Sequence, residues 1–201
     1  MPDHLKLLTK DYFNRHPIKD VSAARFEYSM LLHPEVMDIA EEVIPELKAK
    51  GLCFPDDSDA IATVEQEEDT ARLLRMLRKS LPPTARRILL DKVLAREEEV
   101  LPEIQRIILK AFNDGTIENC TRFLVRCQTN CSEWIIQNFM NIREPYARSM
   151  LCLVLGFRAD TDAIPFLMQQ VESFERQFPS ETFDQGPILA LSELKARFRT
   201  V

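Results

Sequence analysis

Glycine is scarce in this chain, at four residues among 201. No Asn-Gly or Asp-Gly pair stands between alternating apolar runs, so the tight hairpins of a β-rich fold have nowhere to turn. The single Asp-Gly pair, Asp114-Gly115, separates two helical patterns instead. Histidine is scarcer still: His4, His16 and His33 are the whole set, and none lies downstream. The last two precede prolines and read as punctuation between helices. No serine or cysteine nucleophile has an evident histidine partner. Long apolar runs are missing too. The longest fall far short of a membrane span, and the opening MPDHLKLL carries no signal-peptide core. A cytoplasmic protein without membrane contact is the expectation.

Five cysteines, an odd number, in a chain without a secretory signal point to reduced thiols. Zinc would want thiolates or imidazoles at close spacing such as C-x2-C. Cys120 and Cys127 stand seven apart on the stripe of Phe123 and Leu124, with Cys131 beyond and Cys152 further on, and they read as small core hydrophobes. Metal or redox use is the alternative. The carboxylate clusters Asp56-Asp57-Ser58-Asp59, Glu65 to Asp69 and Glu97-Glu98-Glu99 fare similarly. Asp57-x-Asp59 begins like a calcium loop but lacks its glycine, and no Glu-x-x-His motif supports a di-iron bundle. Solvated faces and helix-start charges explain these acids. No cofactor and no metal are expected.

What the chain does have is helix-forming material. It is 45% hydrophobic and 29% charged, a globular balance, and its length suffices for a core without staples. The N-terminal part reads as three helices: Asp3 to about Phe13, a second capped by Asp20, and a third through Val36 to Leu47 closed by Gly51. Pro45 would kink the third or break it into two helices. GLCFPDDSD over 51–59 is the natural boundary, and a polar helix follows from about Ala60 to Leu81, stopped by Pro82-Pro83. Further helices are expected over Thr84 to Ala95, Glu97 to Phe112 and Ile117 to Cys127. Another is capped by Ser132 and holds Trp134, Ile135, Ile136, Phe139 and Met140, and the last runs from about Pro187 to Phe198, packing Ile188 and Leu194.

The most regular unit is Arg143 to Leu167. Pro145 suits a first helical position, where its missing N–H costs nothing. Tyr146 to Leu155 is apolar around most of its circumference, as an inner layer of stacked helices requires. Gly156 is placed to end that helix in a left-handed conformation, with Arg158 near the negative end of the dipole. Asp160-Thr161-Asp162 offers caps for a second helix, which Pro165 opens and Ile164, Leu167, Met168, Val171, Phe174 and Phe178 continue. Arg148 near one helix start, Leu155-Gly156 at its end and Asp162-Ala163-Ile164-Pro165-x-Leu167 resemble the HEAT-like repeat of α-solenoids, over about residues 143–178. The resemblance implies an all-α domain over 1–201: antiparallel helical hairpins, about 9–11 helices, stacked as a short solenoid, with 1–55 as a possible N-terminal cap and 60–201 as repeats. An apolar-apolar-Pro-x-apolar echo at Pro45, Pro102 and Pro165 recurs at intervals of 57 and 63 residues, longer than one repeat of about 40–47.

Arg72, Arg75, Arg78 and Lys79, with Arg86 and Arg87 beyond the Pro-Pro turn, form the most suggestive charged stretch. Spacing of three puts the three arginines on one side of a helix, opposite the leucines. Such a ridge could hold phosphates, or pair with Glu65 to Asp69 a turn or two earlier. Arg122, Arg126, Arg143, Arg148 and Trp134 could line one face of the stack, although the resemblance implies an inter-repeat role for Arg148 and the neighbours of Trp134 suggest burial. The HEAT-like DNA glycosylases share the architecture, but their catalytic acid and DNA-facing aromatics find no place here. A net charge of −6 disfavours nucleic acid. The reading is a non-enzymatic module binding a protein partner, with Arg72, Arg75, Arg78, Arg86, Arg87, Arg122, Arg126 and Trp134 as the candidate contacts. The alternatives are nucleic-acid binding through the Arg72–Arg87 ridge, and an enzyme whose site only the fold reveals.

Overall fold

The computed structural model describes residues 56–198 and Ala49. The three helices expected at the N-terminus, the histidines, Cys53 and most of the 51–59 boundary lie outside the described residues. Among the described residues there are nine α-helices and no strand. They are α1 (Ser58–Gln66), α2 (Thr70–Met76), α3 (Pro83–Leu94), α4 (Glu97–Ile108), α5 (Asp114–Arg126), α6 (Ser132–Asn138), α7 (Pro145–Arg158), α8 (Ile164–Gln177) and α9 (Gln185–Phe198). The described residues are all-α, and none of these helices is long and apolar enough to cross a membrane.

Next-but-one helices pack side by side: α1 on α3, α3 on α5, α5 on α7, α7 on α9, and α2 on α4. Neighbours in sequence close the second layer, as in α4 on α5, α6 on α7 and α8 on α9. One continuous apolar core runs from Val64 in α1 to Leu194 in α9. The most enclosed helices are α5 and α7, where Asn119–Val125 and Ser149–Gly156 are buried without interruption. The broad apolar circumference of Tyr146 to Leu155 has that cause.

The closest approach lies between α7 and α9, and glycine permits it. A Cβ on Gly156 would fall 2.6 Å from the Ala190 Cα, and one on Gly186 would fall 2.1 Å from the Ser149 carbonyl oxygen. Both contacts advance in the same direction along the two helices, so α7 and α9 run parallel. Gly156 therefore does not end its helix, as its position after Leu155 suggests. The helix continues to Arg158, and Ala159 leaves it in an extended conformation. The left-handed exit is not used; the missing side chain is.

Several element boundaries differ from the sequence reading, each for a local reason. The single helix expected from Ala60 to Leu81 is two, because Asp69 caps a new start by accepting the Arg72 N–H at 2.7 Å. Lys92 of α3 holds the junction: its ammonium donates to the carbonyls of Glu65 (2.5 Å) and Glu67 (2.8 Å) and to the Glu68 carboxylate (2.8 Å). Helix α5 begins three residues before Ile117, since Asn113 caps it by accepting the Thr116 N–H at 3.1 Å. Asp114-Gly115 is thus a first turn rather than a break. Ser132 is the first residue of α6, and Asn130 Oδ1 accepts its N–H at 3.0 Å. Asp160 leads into a short 3-10 turn, Thr161–Ala163, and Pro165 is the second residue of α8. Pro102 is by contrast the sixth residue of α4, so the two described members of the proline echo occupy unlike helical positions.

Some expected core residues face out. Phe112, Met140, Met168, Ile188 and Phe198 are exposed, while Gln170 is buried on the face of α8 that carries Leu167 and Phe174. We expect Lys92→Met to loosen the α1–α2 junction at a cost of about 1–2 kcal/mol. Hydrogen exchange checks this: amides of residues 58–69 should exchange faster while those of α5 and α7 keep their protection.

Candidate binding cleft

Helices α2 and α4 lie side by side, and the described residues leave a shallow cleft of ≈ 390 Å³ between them. Its floor is apolar, from Ala71, Leu74 and Ile107, and its rim is charged, from Arg75, Arg78, Glu99, Glu103 and Arg106. The Thr70 hydroxyl donates to Glu99 Oε2 at 3.1 Å and ties the first turns of the two helices together. Arg106 closes on Glu103 of its own helix, with Nε–Oε2 at 3.0 Å. Arg75 reaches back along α2, its Nε donating to the Ala71 carbonyl at 3.2 Å. Neither Arg75 nor Arg78 forms an ion pair among the described residues.

The end of α2 is fixed from beneath. Buried Asn119 of α5 donates from Nδ2 to the Leu77 carbonyl at 2.9 Å. That bond satisfies a helix-end carbonyl which would otherwise be orphaned, and it sets where Arg78 emerges. Arg72 takes the pairing that its sequence neighbours suggest, with Nη1 3.6 Å from Glu67. Sequence spacing thus brings Arg72, Arg75 and Arg78 to one exposed region, and the cleft uses the last two. On the opposite wall, Glu99 belongs to the Glu97–Glu99 cluster visible in the sequence, whereas Glu103 and Arg106 have no signal there beyond their own helical spacing. Only the packing of α4 against α2 recruits them.

Arg86 and Arg87 do not continue the ridge. Both are half-buried on α3. Burial, then repulsion from Arg122, pushes the Arg86 guanidinium down to about 10, against the pull of Glu118. Arg122 itself is buried, donating from Nη2 to Glu118 Oε2 and from Nη1 to Asn119 Oδ1, both at 3.2 Å. Burial lowers its pKa too, and Glu118 opposes the shift. The Tyr146 hydroxyl donates to the other Glu118 oxygen at 3.2 Å. These residues join α3, α5 and α7 internally. Arg126 pairs with Asp91 at 3.1 Å, and Trp134 is half-buried against the core. Arg148 lies over the Phe174 ring of α8, 5.8 Å from its centroid, in a packing role between helices.

Of the cysteines, Cys120 and Cys152 are fully buried in α5 and α7, and burial pushes both thiols up, Cys120 to about 12. Cys127 and Cys131 flank the turn between α5 and α6. The Glu97 carboxylate braces that turn, accepting the N–H groups of Gln128 (2.6 Å) and Thr129 (2.8 Å) and the Thr129 hydroxyl (2.6 Å). Burial works against the Glu97 carboxylate, but these bonds outweigh it and hold its pKa below the ordinary value of 4.5. The stabilisation is therefore present above the unfolded value and lost as pH falls through the folded one. Glu97→Gln should cost about 1–2 kcal/mol near neutrality. Urea unfolding at about pH 7 and about pH 3 should show its gap from wild type closing in acid. Asp56 accepts both the N–H and the hydroxyl of Ser58, an ordinary helix-start arrangement. Among the described residues no three His, Cys, Asp or Glu side chains group so as to hold a metal.

Comparison with protein-family models, with curated proteins and with solved structures finds no match to this chain.

Proposed function

We propose that this chain is a short α-solenoid acting as a non-enzymatic binding module, and that it takes a protein partner in the α2/α4 cleft. Next-but-one packing, with α7 and α9 parallel, is the arrangement in which stacked helical hairpins place successive helices. The observation that carries the binding proposal is the composition of the cleft: an apolar floor, two arginines without an ion pair among the described residues, and two glutamates on the facing wall. A polyphosphate backbone favours a surface of uniform positive charge. A protein surface with its own apolar anchor and mixed rim matches the alternation seen here. Acidic side chains of that partner would take Arg75 and Arg78.

Quantitative pull-down from native lysate, with wild type beside an Arg75→Glu/Arg78→Glu variant, tests the reading. Wild type should recover a partner in stoichiometric amount, and the double variant should lower its yield about tenfold or more. Recovery of no stoichiometric partner, or equal recovery by both proteins, would remove the cleft from consideration. Labelled single-stranded DNA and RNA at low salt form a second arm. Binding there that the double variant abolishes would transfer the cleft to nucleic acid.

A further inference from the structure

The turn between α5 and α6 holds two sulfurs against one oxygen. Cys127 Sγ lies 3.2 Å from the Thr129 carbonyl oxygen, and Cys131 Sγ lies 3.6 Å from the same atom. Cys127 also donates to the Leu124 carbonyl at 3.3 Å. Both cysteines are buried, while the three residues between them, Gln128, Thr129 and Asn130, are exposed. The Arg158 guanidinium sits beside them, donating from Nη2 to the carbonyls of Cys127 (2.8 Å) and Gln128 (3.2 Å). Cys120 and Cys152, in contrast, are sealed inside helices.

We propose that Cys127 and Cys131 are an oxidisable dithiol, which a small hydroperoxide converts to a disulfide within the turn. The two sulfurs share the Thr129 carbonyl oxygen, and their electrostatic coupling lowers the Cys131 pKa and raises that of Cys127. Arg158 also favours the anion at Cys131, against burial and the Glu97 charge. Cys127 has two carbonyls, at 3.3 and 3.2 Å, to hold its proton, whereas Cys131 reaches one at 3.6 Å, so Cys131 is the first nucleophile. Its thiolate attacks a peroxide oxygen: an S–O bond forms, the O–O bond breaks, and the departing oxygen leaves as water or alcohol after taking a proton. Cys127 then attacks the sulfenic sulfur of Cys131: the S–S bond forms, the S–O bond breaks, and water leaves with the Cys127 proton. Two thiols have lost two electrons and two protons, and the peroxide has gained them.

The experiment uses the folded, full-length, fully reduced chain and hydrogen peroxide. Intact mass should fall by the two hydrogens lost, and non-reducing peptide mapping should place the link between Cys127 and Cys131, reversibly with dithiothreitol. In Cys127→Ser, a dimedone adduct should appear at Cys131; in Cys131→Ser, adduct formation at Cys127 should be at least about tenfold slower. A link through Cys53 instead, a link that forms only after denaturation, or over-oxidation of both sulfurs without a link would each overturn the proposal. Wild type alone decides the linkage, so a poorly folding variant does not obscure the answer.

Discussion

Gly186→Ala should destabilise the protein by about 3 kcal/mol, more than any other change that adds a single methyl group. The added carbon would sit 2.1 Å from the Ser149 carbonyl oxygen and 2.4 Å from its Oγ. The carbonyl belongs to the backbone in the middle of α7 and cannot swing aside. The hydroxyl is committed as well, donating to the Phe183 carbonyl at 2.7 Å. Relief therefore requires α9 to lift off α7, which would break the contact of Gly156 with Ala190 and strain the Arg197 bonds to the Gly156 (2.7 Å) and Ala159 (3.0 Å) carbonyls. For a domain of this size the melting temperature should fall by about 6–12 °C. Gly115→Ala supplies the control. Its nearest neighbour would be the Asn113 side-chain oxygen at 3.3 Å, and alanine suits a first helical turn, so the change should be close to neutral. Gly156→Ala should also destabilise, and pairing it with Gly186→Ala should cost less than the separate losses combined, since either one already separates the helices. Equal and small effects at all three glycines would sink the account of the α7–α9 contact.

That contact also shows where reading the sequence succeeds and where it stops. The breadth of apolar residues from Tyr146 to Leu155 identifies a buried inner helix, because a helix covered on all sides has no polar stripe to spare. Pro145 and Pro165 mark two helix starts, since proline tolerates only the first turn. Gly156 carries the opposite lesson. After a leucine-rich helix, glycine signals a terminus by local rules, but the reason for it here is Ala190, a residue 34 positions downstream. Spacing cannot announce a neighbour that far along the chain. The candidate cleft divides in the same way. Arg75 and Arg78 were visible as a helical ridge, whereas Glu99, Glu103 and Arg106 become rim residues only through α2–α4 packing. Arg86 and Arg87 fit the ridge by proximity in sequence, yet Pro82 and Pro83 start a new helix whose direction turns Arg86 toward α5. Asp69 hides a helix boundary inside the Glu65–Asp69 run of acids, because one carboxylate of the four caps while the others lie beside it.

The turning of Arg86 inward sets up the second large effect. Glu118→Gln should destabilise the protein by about 3 kcal/mol, although it removes no atom from the packing. Glu118 is the carboxylate between Arg86 and Arg122, with its side chain 22% exposed, and it also accepts the Tyr146 hydroxyl. Glutamine keeps the shape and the acceptor oxygen, but leaves two guanidiniums desolvated at close range without this counter-charge. The depression of Arg86 to about 10 shows the strain already present: burial comes first, repulsion from Arg122 second, and Glu118 only partly offsets them. A base with its folded pKa below the unfolded one costs stability throughout the range below about 10, and the cost fades as pH rises from there toward the unfolded value. Loss of Glu118 deepens that cost. Arg86→Met in the Glu118→Gln background should then restore part of the lost stability, because it removes one of the two facing cations and leaves an apolar chain in their place. The same Arg86→Met change in wild type should do less, since there Glu118 still holds Arg122. A double-mutant cycle by urea unfolding separates these outcomes. If Glu118→Gln proves neutral, or Arg86→Met worsens it, then the α3–α5–α7 junction rests on packing and not on this charge arrangement.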